Sequence, residues 1–147
     1  LTSNFSFNKF NTDKIFNKNK YDQNDIKKAL KILNDLSKYD NAQSIVLDKG
    51  FILSIEAAEG TDEMLDRVFK YKKKMKLLKN SSGIFVKLPK RNQSLKADMP
   101  VIGPKTIKLL RKSRINSIAV SKFNTLVNDL NKTLLEVERN KINLYLI

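Results

Sequence analysis

Between Asp22 and Tyr39 the apolar side chains fall at Ile26, Ala29, Leu30, Leu33 and Leu36, the spacing of one face of an α-helix, with Asp22 or Asn24 placed to cap it. Two apolar runs follow, Ser44-Ile45-Val46-Leu47 and Phe51-Ile52-Leu53-Ser54-Ile55, separated by Asp48-Lys49-Gly50. That pattern predicts a β-hairpin in which Gly50 supplies the positive-φ turn residue. After a loop from Glu56 to Gly60, a helix is predicted from about Thr61 to Leu78, with Met64, Leu65, Val68, Phe69, Met75 and Leu78 as its apolar positions. Asn80-Ser81-Ser82-Gly83 breaks the pattern, and Ile84-Phe85-Val86-Lys87-Leu88 reads as a strand interrupted by one lysine. A polar, basic loop covers Pro89 to Ala97. Asp98-Met99-Pro100-Val101-Ile102-Gly103-Pro104 is a stiff approach to a helix from Pro104 to Lys112, with Pro at its first position. Ser117-Ile118-Ala119-Val120 is a short strand, Val127 to Asn140 a helix, and Asn143 to Ile147 a closing strand.

Helices and strands thus interleave, which predicts an α/β domain, and the hairpin makes its β-sheet mixed, with flanking helices. Residues 1–21 are polar and irregular, with Phe5, Phe7, Phe10, Ile15 and Phe16 interspersed, and read as a linker or the tail of an upstream unit; residues 22–147 form the domain. The chain starts at Leu1 and its methionines are Met64, Met75 and Met99, so a processed product or a fragment is expected. No run of eighteen apolar residues occurs, and no secretory signal is visible near Leu1. Lys72-Lys73-Lys74 reads as the solvated face of a helix.

Composition narrows the chemistry. The 147 residues are 41% hydrophobic and 30% charged, with 29 Lys+Arg against 15 Asp+Glu, a net charge of +14. The absence of Cys and His excludes disulfides, thiolate nucleophiles, zinc sites built on those residues, Ser-His-Asp triads and histidine bases. Catalysis would have to use carboxylates, Lys, hydroxyl groups or a hard metal held by oxygen. Lys far outnumbers Arg, and Asn and Ile are abundant, so part of the positive charge is compositional drift. It would still steer anionic ligands toward the surface.

Three segments stand out. Glu56-Ala57-Ala58-Glu59-Gly60-Thr61-Asp62 concentrates acids at a strand-to-helix junction. Capping and the helix dipole account for Thr61, Asp62 and Glu63, but not for Glu56 and Glu59. Lys87, Lys90, Arg91, Gln93 and Lys96 lie on or just after a strand, where they suit a phosphate, or else form a solvated loop. Lys105 stands in the first turn of a helix without an acid, against the dipole, unless an anion binds near Gly103. Asp98 is a lone carboxylate on a proline-stiffened support among these cations, either a turn former or an ionised metal ligand or base.

The block Val46-Leu47-Asp48-Lys49-Gly50-Phe51-Ile52-Leu53-Ser54-Ile55-Glu56-Ala57-Ala58-Glu59-Gly60-Thr61-Asp62-Glu63-Met64-Leu65 resembles the central part of the alphaproteobacterial-type, non-calcineurin-like UDP-2,3-diacylglucosamine pyrophosphatase family of the lipid A pathway. So do Val86-Lys87, Lys90, Gln93 and Asp98-Met99-Pro100-Val101-Ile102-Gly103-Pro104-Lys105-Thr106, in the same order. The resemblance runs from about Tyr21 to the end and covers only the C-terminal half of such two-domain enzymes. It implies hydrolysis of UDP-2,3-diacylglucosamine to UMP and 2,3-diacylglucosamine 1-phosphate (lipid X), with Mg²⁺ or another divalent cation assisting water attack. The implied partners are that substrate, the missing N-terminal domain and the inner-membrane surface. Nucleic acid is not expected, and the implied location is cytoplasmic and peripheral to the membrane.

The resemblance implies catalytic roles for Asp98, Glu59 and Asp62, and metal contacts for Asp98, Glu56 and Glu59. It implies phosphate or substrate contacts for Lys87, Lys90, Gln93, Lys96, Gly103, Lys105, Thr106 and Thr61. The chain departs from the family pattern at Ser94-Leu95-Lys96, where an acid and arginines are common, and at Ser121-Lys122-Phe123, where Glu-Ala-Gly is common. The alternative is a non-catalytic basic module that binds anionic lipid or nucleic acid. An isolated C-terminal half is expected to be inactive.

Overall fold

A computed structural model describes residues 19–90 and 99–147 in full, and the backbone of Asn4 and Phe5. The described elements run in the order β1 (Asn4–Phe5), α1 (Lys20–Ser37), β2 (Ser44–Asp48), β3 (Phe51–Ile55), α2 (Thr61–Lys74), β4 (Ile84–Lys87), β5 (Val101–Ile102), α3 (Pro104–Lys112), β6 (Ser117–Val120), β7 (Leu126–Asn128), α4 (Leu130–Arg139) and β8 (Asn143–Leu146). Five strands form a mixed sheet in the order β3-β2-β4-β6-β8. β2 is antiparallel to both neighbours, whereas β4, β6 and β8 are parallel. A small second sheet has the order β1-β7-β5.

Strand alternation divides the side chains between two cores. On one face, Ile45, Leu47, Ile84, Val86, Ala119 and Tyr145 pack under Ile26, Ala29 and Leu33 of α1. On the other, Val46, Phe85, Ile118, Val120 and Leu144 meet Met64, Leu65 and Val68 of α2, Ile107 and Leu110 of α3, and Val137 of α4. The result is a three-layer α/β/α arrangement with one helix on one face and three on the other. Lys87 alternates with Val86, so it points to the face that carries α2 and α3, at the end of β4.

The β2–β3 turn has left-handed backbone at Lys49 (φ 48°) and Gly50 (φ 89°), the geometry that matches the strands' right-handed twist. α1 grips this turn: Gly50 N–H donates to Asp25 Oδ1 at 2.8 Å, and Lys28 Nζ donates to the Gly50 carbonyl at 2.6 Å. The register shifts between Val46 and Leu47, where Leu47 pairs with Ile52 and Val46 with Ser54. Leu53 is therefore a bulged extra residue, and it packs against the α2 side of the core.

Several expectations need correction. The cap of α1 is neither Asp22 nor Asn24 but Asn19, whose side chain accepts from Asp22 N–H at 2.8 Å. Asp22 instead turns inward and accepts from Ser117 Oγ at 2.6 Å and Tyr145 OH at 2.7 Å, tying α1 to β6 and β8. α2 ends at Lys74 rather than Leu78, because Lys76 turns left-handed (φ 58°) and Leu77 N–H closes onto the Lys72 carbonyl at 2.7 Å. Lys72 is not solvated: it is buried, and its Nζ donates to the carbonyls of Ser82 and Arg114, each at 2.7 Å. The segment predicted as one helix from Val127 begins as strand β7, and α4 starts only after Asp129. Val101 and Ile102 are not merely an approach to α3 but pair with Leu126 and Val127 as β5.

Candidate functional site

Because β2 is antiparallel to β3 and β4, the strands β3, β4, β6 and β8 all point the same way. Their carboxyl ends share one edge of the sheet with the start of β2. The segments leaving that edge are Glu56 to Gly60, Leu88 to Pro100, and Ser121 to Thr125. The carboxyl edge is where α/β folds present loops to ligands. The acidic block after β3 and the basic segment after β4 both leave this edge, whereas Gly103, Lys105 and Thr106 follow β5 of the small sheet.

Lys87 is the centre of the arrangement. It is only 9% exposed, and its Nζ donates to Thr61 Oγ1 at 3.1 Å and to the Val101 carbonyl at 3.2 Å. Burial pushes its ammonium below the usual lysine range, and the carboxylates of Glu56 and Asp62 oppose that shift. Thr61 is the first residue of α2, whose N-cap, Gly60, has φ 88° and makes no side-chain capping bond. The expected capping by Thr61 or Asp62 is therefore absent, which leaves the Thr61 hydroxyl to Lys87.

Asp62 reaches across to α3. Its Oδ2 lies 2.9 Å from Lys105 Nζ, so the first turns of the two helices are joined by an exposed ion pair. Lys105 thus has a carboxylate partner from α2, and its place against the helix dipole does not by itself require a bound anion. At the start of α3, Gly103 N–H donates to Thr106 Oγ1 at 3.4 Å. A Cβ on Gly103 would come within 3.2 Å of Asn128 Cβ, so the close approach of β7 favours glycine here.

The other predicted residues part company with this group. Glu56 accepts from Ser44 Oγ at 2.6 Å at the same edge, close enough to act on Lys87 electrostatically. Glu59 turns away to Arg67, which also donates to the Ile55 carbonyl at 3.0 Å. Its carboxyl is held below the usual range first by its own backbone N–H, then by Arg67, against an opposing effect of burial. Lys90 bonds the Asp40 carbonyl at 3.3 Å and pairs with its carboxylate at 3.5 Å, beyond the end of α1. Gln93, Lys96 and Asp98 lie outside the described residues.

Among the described residues no three carboxylates stand close enough to hold a metal ion. Glu56, Glu59 and Asp62 are committed to Ser44, Arg67 and Lys105 in turn. Asp98, the other residue expected to hold a cation, lies outside the described residues.

Ser44 and Arg67, the partners of Glu56 and Glu59, were not singled out by the sequence. Ser44 carried a weak signal as a polar residue opening an apolar strand, whereas the partnership of Arg67 with Glu59 had none.

An α/β domain with a buried lysine and two helix amino termini gathered at its carboxyl edge is suited to binding an anionic group. The chain belongs to the LpxI C-terminal domain family, which it matches over residues 13–145. Over 84 residues it is 37% identical to the UDP-2,3-diacylglucosamine pyrophosphatase LpxI of Caulobacter vibrioides, a stretch covering 56% of this chain and 30% of that relative.

Proposed function

We propose that this chain is the diphosphate-handling half of an enzyme that hydrolyses UDP-2,3-diacylglucosamine to UMP and 2,3-diacylglucosamine 1-phosphate in lipid A synthesis. Family membership supports the substrate, and one structural observation carries the site: Lys87, Thr61, Asp62 and Lys105 meet where α2 and α3 begin. Two helix amino termini and two ammonium groups there would draw a diphosphate to the carboxyl edge of the sheet. In this proposal Asp98, three residues before Val101, orients the attacking water, and Gln93 and Lys96 face the ligand from the same loop. Glu59 and Asp62 assist Asp98, and in this structure they pair with Arg67 and Lys105. Asp98, with Glu56 and Glu59, would hold a divalent cation, which would supply charge neutralisation for the diphosphate. The second wall of the cleft comes from an N-terminal domain.

Among the described residues no helix is long and apolar enough to cross a membrane. We place the enzyme in the cytoplasm, at the inner-membrane face that supplies a diacylated substrate, where a +14 chain is attracted to anionic lipid. The test is UMP release from UDP-2,3-diacylglucosamine by the full-length protein. Release that stops on chelation of divalent cations is expected. Salt-sensitive binding of anionic lipid or nucleic acid with no UMP release would replace the enzyme reading with that of a binding module.

A further inference from the structure

We propose that Lys87 is a positioning residue, a lock that fixes the amino ends of α2 and α3 against the sheet through Thr61 Oγ1 and the Val101 carbonyl. The inference rests on the hydrolase reading for its kinetic test and on geometry alone for its structural one.

Lys87 is the last residue of β4, a central strand paired on both sides by β2 and β6. Its aliphatic stem is buried, and its ammonium makes two of its three available bonds inside the protein. One acceptor is the first residue of α2 and the other lies two residues before the N-cap of α3. No side chain caps α2 at Gly60, so the Lys87–Thr61 bond is a tether of that amino end to the sheet. Two further contacts run in the same direction. Asp62 pairs with Lys105 between the helices, and Leu126 N–H donates to the Pro100 carbonyl at 2.9 Å beside β5. The ion pair is exposed on both sides and is weak for that reason. The buried ammonium is therefore the stronger link between the two helix starts and the sheet.

Burying a lysine costs free energy that a methionine of similar shape would not. An anchor made of two directed hydrogen bonds offsets that cost by fixing geometry. A lysine serving only to attract a phosphate would do so from a more solvated position, as Lys105 does.

The experiment measures kcat and KM for UMP release by the full-length protein and by Thr61→Ser, Thr61→Val, Lys87→Met and the Thr61→Val/Lys87→Met double variant. Thr61→Ser keeps the acceptor and should retain more turnover than Thr61→Val, the rescue by a conservative change that a lock predicts. Thr61→Val should lower kcat about tenfold with KM within about twofold, and Lys87→Met about a hundredfold. The double variant should be no slower than Lys87→Met, since both changes break one lock. Multiplicative losses, a Thr61→Val enzyme as fast as wild type, or a raised KM at unchanged kcat would overturn the proposal. Should Lys87→Met not fold, the Thr61→Ser and Thr61→Val pair decides.

Amide exchange gives a readout independent of turnover. The first helical bonds, Met64 N–H to the Gly60 carbonyl at 3.1 Å and Ile107 N–H to the Gly103 carbonyl at 3.3 Å, should exchange faster in Lys87→Met. Thr61→Val should affect Met64 first. Unchanged exchange at both amides refutes the lock. A wild-type protein that releases no UMP refutes the hydrolase reading, and the exchange data then judge the lock alone.

Discussion

Lys72 and Lys87 are two lysines drawn out of solvent by carbonyl groups, and only one of them announced itself. Lys87 stood out as a charge within the apolar run Ile84 to Leu88. Lys72 sat between other lysines, where charge hides position, yet helical spacing from Leu65 and Val68 puts it on the buried stripe. Its ammonium, lowered by burial with Asp48 opposing, joins the Ser82 and Arg114 carbonyls and so ties α2 to two loops. Lys72→Ala should destabilise the fold by about 2–4 kcal/mol in urea unfolding, through lost packing and two carbonyls without a donor. Lys73→Ala, on the exposed face, should stay within about 0.5 kcal/mol of wild type. Equal, mild effects would mean that Lys72 is not an anchor.

Tyr145 makes a second residue-scale prediction. Its hydroxyl donates to the buried Asp22 carboxylate at 2.7 Å, and burial first, then that bond, pushes its pKa from 10.0 to about 12. A phenol with a raised native pKa stabilises the fold fully below its unfolded value and loses that contribution as pH climbs through the native one. Tyr145→Phe should therefore cost about 1–3 kcal/mol at neutral pH. The gap between wild type and variant should close between pH 10 and about 12, measured by denaturant unfolding across that range. A gap that stays constant to pH 12 would show that the hydroxyl does not titrate as the geometry requires.

At the scale of elements, three helices end on a basic residue in the left-handed region: Lys76 after α2 (φ 58°), Arg114 after α3 (φ 56°) and Lys141 after α4 (φ 53°). Each is followed by a residue whose N–H closes onto the last turn, as Leu77, Ile115 and Ile142 do. A chain with four glycines has used Lys and Arg where Gly is the less strained choice. The end of α2 was illegible for this reason: the usual Gly signal is missing at Lys76, and the apolar spacing carries the expected helix on to Leu78. Lys76→Gly and Lys141→Gly should each raise stability by up to about 1 kcal/mol, read as a higher melting temperature in calorimetry. No gain at either site would point to side-chain contacts that offset the backbone strain.

The same scale explains the hidden strand β7. Val127, Leu130, Leu134 and Val137 keep helical spacing straight through Asn128 and Asp129, so periodicity alone joined strand to helix. The break is conformational, at Asp129 with φ 50°, whose side chain then caps α4 by accepting from Lys132 N–H at 3.2 Å. By contrast, the hairpin and the Pro104–Lys112 helix were legible because turn chemistry and proline fix backbone angles locally. The pairing of Asp62 with Lys105, and of Glu59 with Arg67, was not legible. It depends on how separate segments meet in space.

At the scale of the whole molecule, the sheet's direction does the organising. Four strands aimed one way deliver the acidic block and the basic loop to the same edge, and α2 and α3 add their positive ends there. The +14 charge raises the local concentration of anions over the surface as a whole. We propose hydrolysis of a diphosphate at that edge, with Asp98 orienting water. Its most direct test compares UMP release and substrate binding by full-length wild type and Asp98→Ala. Release by the wild type, loss of turnover by at least about a thousandfold in Asp98→Ala, and retained binding of UDP-2,3-diacylglucosamine are the expected result. Turnover by Asp98→Ala within a few-fold of wild type would contradict it.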